Sequence, residues 1–131
     1  MAIIIRRGGH VEVALSSVGK PFQARVYKWL IDAFGEIIAR NKRRRALRFI
    51  EEAVELVQAL GLGENDVSAV ARSVYCRPPH KPEREVGGVM TSLGGLCEAH
   101  GFDMAAIGEA TLRDNYRRIH EIREKERRKA L

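Results

Sequence analysis

Apolar side chains recur at helical spacing along most of the chain. After Pro21, the residues Val26, Leu30, Ala33, Phe34, Ile37 and Ile38 fall at i, i+4, i+7, i+8, i+11 and i+12. This spacing predicts a helix from Pro21 to about Arg40. A second helix is predicted from about Lys42 to Leu60. At about 100° per residue, Phe49, Ala53, Leu56, Val57 and Leu60 form one stripe, widened by Ile50 and Val54. The "GLG" at 61–63 is a helix stop. A short third helix follows Asn65, an N-cap residue, through "DVSAVARSVY".

The segment "RPPHKP" (Arg77–Pro82) breaks the pattern. A fourth helix, about Glu83–His100, carries Gly87, Gly88, Gly94 and Gly95. Each glycine costs about 1 kcal/mol relative to alanine. Such a cost points to close helix packing or to backbone approaching a ligand. Gly101 ends this helix, and Asp103 is placed to cap a last long one. That helix is expected to bend near Gly108 and to end in "RRIHEIREKERRKAL". Only the start of the chain departs from helical spacing. There, "AIIIRRGGHVEVAL" alternates around a Gly-Gly pair, as a small hairpin does.

The pattern therefore predicts an all-α bundle of four to five helices with a short N-terminal extended or hairpin appendage. The 131 residues suit a single domain spanning 1–131, with 1–20 as the appendage. A 45% hydrophobic content is that of a folded chain. No repeat, low-complexity linker or βαβ alternation is present, and no Gly-rich phosphate loop. No apolar run approaches the roughly 20 residues that span a bilayer. The start lacks the pattern of a signal peptide. A cytoplasmic location is expected, the host cytoplasm if the chain is phage-encoded.

Cys76 and Cys97 lack the spacing of a zinc site and are expected to be reduced, buried small side chains. His10, His80, His100 and His120 are scattered, as structural or surface residues are. The net charge of +6 fits an anionic partner such as nucleic acid, a nucleotide or an acidic surface. Basic residues cluster in "RNKRRRALR" (Arg40–Arg48) and from Arg113 onward. The ordinary reading of each cluster is a solvated helix face.

Candidate chemistry sits in "RFIEEAVELVQALG" (Arg48–Gly61), where Glu51, Glu52 and Glu55 crowd beside the apolar stripe. Glu52 and Glu55 stand one turn apart on the same flank. Two like charges there destabilise a bare helix. A hard divalent cation reverses that sign, and purely carboxylate ligation favours Mg²⁺ or Mn²⁺. One helix does not complete such a site. Glu85 on the fourth helix and Glu36 on the first are candidates for the rest, as in bundles that build carboxylate sites from several helices. The ordinary alternative is a solvent-facing cluster paired with the basic segment before it.

"RFIEEAVELVQALG", then "REVGGVMTSLGGLCEAHGFDM" and "ATLRDNYRRIHEIR", occur in that order. Together they resemble the all-α nucleoside triphosphate pyrophosphohydrolases of MazG-like type, with the nearest likeness to the phage and bacterial dATP/dGTP diphosphohydrolases. The resemblance runs from about Val26 to Arg123. It implies that an ExxE motif, here Glu52 and Glu55 preceded by Glu51, and a later ExxD motif bind the metal. Glu85 matches the first position of the second motif. Gly88 stands where its aspartate would be, and the resemblance offers Glu36 as the replacement carboxylate. Asn115 resembles the asparagine of the family's C-terminal helix, before basic Arg117.

The resemblance implies hydrolysis of a purine dNTP (dGTP, dATP or both) to dNMP and pyrophosphate. Glu36, Glu52, Glu55 and Glu85 would hold two or more Mg²⁺ or Mn²⁺ ions. Glu51 and Glu52 would carry the catalytic roles, Glu51 by orienting the water. Lys42, Arg48, Asn115, Arg117 and Arg118 would bind substrate. It further implies a homo-oligomer, a tetramer built as a dimer of dimers or a dimer. Other readings are a superfamily member acting on dUTP, dCTP or phosphoribosyl-ATP, a non-hydrolysing nucleotide binder, and a basic helical nucleic-acid-binding protein. The last lacks any recognisable reading motif.

Overall fold

The computed structural model describes the backbone of residues 2–7 and 10–15, and residues 21–129 in full. Strands β1 (Ala2–Arg7) and β2 (His10–Leu15) pair antiparallel, with Ala2 opposite Leu15 and Arg7 opposite His10. The expected hairpin is present, and its Gly-Gly turn lies outside the described residues. All other regular structure among the described residues is helical: α1 (Phe22–Phe34), α2 (Glu36–Ala39), α3 (Lys42–Ala59), α4 (Glu64–Tyr75), α5 (Pro82–His100), α6 (Met104–Arg117) and α7 (Ile119–Lys129). The architecture is all-α. No helix among the described residues is long and apolar enough to cross a membrane.

Two expected helices are each divided. The first breaks at Gly35, whose φ of 81° and ψ of 163° lie in a region that essentially only glycine occupies. Apolar spacing continues across this break, which is why the sequence reads as one helix. The last divides at Arg118, not at Gly108. Gly108 has a different task. A Cβ there would meet the ring of Phe22 at 3.3 Å, so its bare backbone lets α6 approach α1.

The remaining ends follow local rules. The Asn41 side chain accepts from Arg44 N–H and caps α3, and Asp103 accepts from Ala106 N–H and caps α6. Gly101 closes α5 in the left-handed conformation. Gly63, not Asn65, is the N-cap of α4, where the Asp66 side chain accepts from Gly63 N–H.

Packing centres on α1, which lies against α2, α6 and α7. Arg25 donates to Glu109 across α1 and α6 at 2.7 Å. Tyr116 donates to Asp32, and Arg123 of α7 donates to the Asp32 carbonyl oxygen through Nε at 3.1 Å. Among the described residues only Ala33, Ala39 and Leu112 are buried. The expected α3 stripe is not closed within one chain: Phe49 is 53% and Ile50 54% exposed. Leu56, Val57 and Leu60 are half-buried. The same openness extends to the glycines of α5. A Cβ at Gly87, Gly88, Gly94 or Gly95 would meet nothing, so the close packing or ligand approach expected there is not made within the described residues of one chain. Cys76 is exposed and Cys97 half-buried, against the expectation of two buried thiols.

Candidate phosphate and metal site

A groove of about 660 Å³ runs between α1, α3, α6 and α7. Its apolar side comes from Trp29 and Phe34 of α1 and Ile38 of α2. Trp29 meets Phe34 edge to face, with ring centroids 5.6 Å apart. Its polar side comes from the first turns of α3, where Arg44, Arg45, Arg48, Glu51 and Glu52 fall on one flank. Asn115 of α6, Arg118 at the α6–α7 break and Glu126 of α7 close it opposite.

The groove brings together five of the sequence-predicted residues: Arg48, Glu51, Glu52, Asn115 and Arg118. They come from two stretches of chain that are far apart in sequence. Arg48 Nη1 lies 2.9 Å from Glu51 Oε2, and Arg48 Nη2 bonds Glu52 Oε1. Partial burial works against the charge of this guanidinium. The bond to Glu51 and the fields of Glu52, Glu51 and Glu55 outweigh it, so the group is held above its ordinary value. Arg48 thus pairs with one carboxylate that the sequence offers to a metal, Glu52, and with its neighbour Glu51.

The other predicted residues lie elsewhere. Glu55 is one turn further along α3 and exposed. Glu36 pairs with Arg40 on α2 at 2.8 Å. Glu85 is exposed in the first turn of α5. Lys42 and Arg117 are exposed and do not line the groove. Among the described residues no group of three or more His, Cys, Asp or Glu is placed to hold a metal ion. The expected gathering of Glu36, Glu52, Glu55 and Glu85 is therefore not made within one chain. The reason is geometric. Joining them requires α5 to seat against α3, and the apolar flank of α3 that would receive it stays exposed.

Carboxylates are the right donor class for a hard divalent ion. Glu52 and Glu55, one helical turn apart, supply part of a coordination shell. The residues of one chain fit such an ion in chemistry and fall short in number.

Three further groove residues carried no site assignment in the sequence. Arg44 ion-pairs with Glu126 and ties α3 to α7. Arg45 is half-buried, and its charge is opposed first by burial and then by its neighbour Arg44, which holds its pKa below the ordinary value. In the sequence Trp29 reads, with Phe34, Tyr75 and Tyr116, as an aromatic that could stack on a base or belong to the core. Of the other aromatics able to stack on a base, Tyr116 is committed to Asp32 and Tyr75 is 89% exposed.

No protein-family model matches the chain, and neither a curated protein nor a solved structure matches it significantly.

Proposed function

We propose that the protein is a metal-dependent nucleoside triphosphate pyrophosphohydrolase of the MazG-like superfamily, which converts a purine dNTP, dGTP or dATP, to dNMP and pyrophosphate. The observation that carries this reading is the groove itself. It gathers Glu51 and Glu52 with Arg48, Asn115 and Arg118, five of the ten residues that the resemblance singles out. The all-α architecture agrees with that family's fold.

Glu52 and Glu55 would hold the divalent ions, Mg²⁺ or Mn²⁺, and Glu36 and Glu85 would complete the ligand set. When bound, the ions supply Lewis-acid activation of water and neutralise the leaving pyrophosphate. The chain's own residues do the rest. Arg48 leaves its carboxylate partners and turns to the phosphates, where a guanidinium offers paired donors to oxyanions. Arg118 approaches from the opposite wall. Asn115, with one donor and one acceptor, orients the sugar or a phosphate oxygen. Glu51, released by Arg48, accepts a hydrogen bond from the attacking water and orients it. Lys42 and Arg117 lie outside the groove and act by steering the anion.

The missing carboxylates come from a second copy of the chain. Phe49, Ile50 and Val54 on α3 and Val86, Val89 and Met90 on α5 are exposed in one chain. A tetramer built as a dimer of dimers closes these faces and brings α5 of one subunit to α3 of another. The proposed location is the cytoplasm, where dNTPs and Mg²⁺ are present.

The test is pyrophosphate release from a panel of dNTPs and NTPs with Mg²⁺ or Mn²⁺, comparing wild type with Glu52→Ala. The expected result is metal-dependent release, fastest with dGTP or dATP, with monophosphate as co-product. Loss of one ligand should lower the rate by at least about 100-fold. A folded, metal-loaded protein that releases pyrophosphate from no nucleotide would overturn the proposal.

A further inference from the structure

Two hydrogen-bond donors are closed off from solvent and have no acceptor: the indole Nε1 of Trp29 and the guanidinium Nε of Arg45. Both residues line the same groove, one from α1 and one from α3. A donor left without an acceptor away from water costs about 1–3 kcal/mol, more when charged. Buried groups of this kind are normally satisfied. Two in one groove, neither matched by an acceptor, mark a place for a group that brings only acceptors.

The charge of the groove says which kind. Arg44, Arg45, Arg48, Arg118, Lys125 and Lys129 face it, against the carboxylates Glu51, Glu52 and Glu126. Those carboxylates are engaged: Glu126 with Arg44, and Glu51 and Glu52 with Arg48. Arg118 is held by Asp114 and Glu121. Arg45 has no carboxylate at ion-pair distance among the described residues, although it is the half-buried cation of the set. It lies between Arg44 and Arg48, whose charges both press against its own, and the one carboxylate whose field supports it, Glu126, is already paired with Arg44. A neutral acceptor such as a carbonyl would satisfy the two N–H groups and leave that surplus standing. An oxyanion satisfies both.

We propose that Arg45 and Trp29 form a phosphate subsite in the wall of the groove, opened when the side chains that cover their N–H groups give way, in which one phosphoryl group accepts from Arg45 Nε–H and Trp29 Nε1–H together. A phosphoryl oxygen set suits this pair, because its several acceptor lone pairs can meet donors arriving from two helices. Arg48 and Arg118 stand along the groove to take the remaining charge of a polyphosphate. The subsite deepens the pyrophosphohydrolase reading, and rests on it only for the phosphate being that of a nucleoside triphosphate. Phosphate capture itself requires neither metal nor hydrolysis.

Trp29 is the only tryptophan in the chain, so its emission reports on this subsite alone. The experiment titrates inorganic tripolyphosphate into the full-length protein with EDTA present, reading Trp29 fluorescence and, in parallel, calorimetric heat. Saturable binding with a change in emission is expected. Arg45→Gln should weaken it by at least about 10-fold, since a hydrogen bond to a charged group is lost. Trp29→Phe, read by heat, should weaken it by about 5-fold, the size of a neutral hydrogen bond. Arg128→Gln, an exposed change at the far end of α7, should leave it within about 2-fold. Arg45→Lys keeps the charge and removes the Nε–H donor, and should recover only part of the loss.

Absence of saturable binding to wild type would overturn the subsite, as would equal weakening by Arg45→Gln and Arg128→Gln. Helical circular dichroism on each variant separates misfolding from lost binding, and Arg45→Lys stands in if Arg45→Gln does not fold. Competition distinguishes two sources of the same phosphate chemistry. Displacement by dGTP at lower concentration than by a single-stranded oligonucleotide supports a free nucleotide. Tighter oligonucleotide binding that excludes tripolyphosphate overturns that assignment. Because the metal is chelated, lost tripolyphosphate binding sinks the subsite alone. Retained binding with no pyrophosphate release from any nucleotide sinks only the hydrolase.

Discussion

Arg48 shows how one residue's task depends on what reaches it. It bridges Glu51 and Glu52, two carboxylates that would otherwise repel across adjacent positions of α3. The spacing of this trio was legible in the sequence, because i, i+3 and i+4 neighbours on a helix need no tertiary information. The partnership of Arg25 and Glu109 was not, since they lie on α1 and α6. The Arg25 bond holds the Glu109 carboxyl below its ordinary value, against a smaller opposing effect of burial. A folded state that gives up its proton more readily than the unfolded chain gains stability above the ordinary carboxylate range. It loses that gain as pH falls through the depressed pKa. Glu109→Gln is therefore expected to lower the melting temperature at pH 7, with a smaller gap to wild type at a pH below the ordinary carboxylate range. Thermal melts at the two pH values check this, and a gap that persists undiminished in acid would contradict it.

The helices behaved as local signals dictate. Asn41 and Asp103 cap α3 and α6 because their side-chain oxygens reach a backbone N–H three residues on. Only Asp103 was legible as a cap in advance. The break between α1 and α2 was missed for a definite reason. Phe34, Ile37 and Ile38 keep helical spacing through Gly35, and apolar spacing is blind to one residue's φ. That residue carries a backbone conformation closed to other side chains. Gly35→Ala is expected to cost about 1–3 kcal/mol, read as a lower urea midpoint. A variant as stable as wild type would mean that α1 and α2 can merge without loss. Gly108 is the reverse case, where glycine alone predicts a bend. Its small size admits the Phe22 ring, and α6 runs straight past it.

As a whole molecule, the chain packs around α1 and leaves α3, α4 and α5 with their apolar flanks open. Val70 is 63% and Met90 63% exposed, and Val74 and Val86 join them. Large apolar side chains left exposed on three helices suit an interaction face. Self-association is the expected outcome. Sedimentation equilibrium should report a tetramer at micromolar concentration, falling to smaller species on dilution or with Met90→Asp in α5. A monomer at all concentrations would remove the proposed source of Glu85 and Glu36. The proposed site depends on this scale, because Glu52 and Glu55 supply only part of a metal shell.

The sequence by itself determined the helical class, the N-terminal hairpin, most helix ends and the presence of an acidic pair beside a basic run. All of these are set by neighbours within a few positions, through hydrogen-bond caps, φ preferences and apolar spacing. Tertiary structure alone decided which stripes are buried and which side chains meet. It set Trp29 of α1 and Arg45 of α3 in one groove, each with a buried donor and no acceptor. In the sequence Arg45 is one of a row of similar arginines, and Trp29 one of four aromatics that could stack on a base or sit in the core. Their joint desolvation arises only when α1, α3 and α7 come together around one groove, because burial is a property of distant surfaces brought together and has no local spacing to betray it.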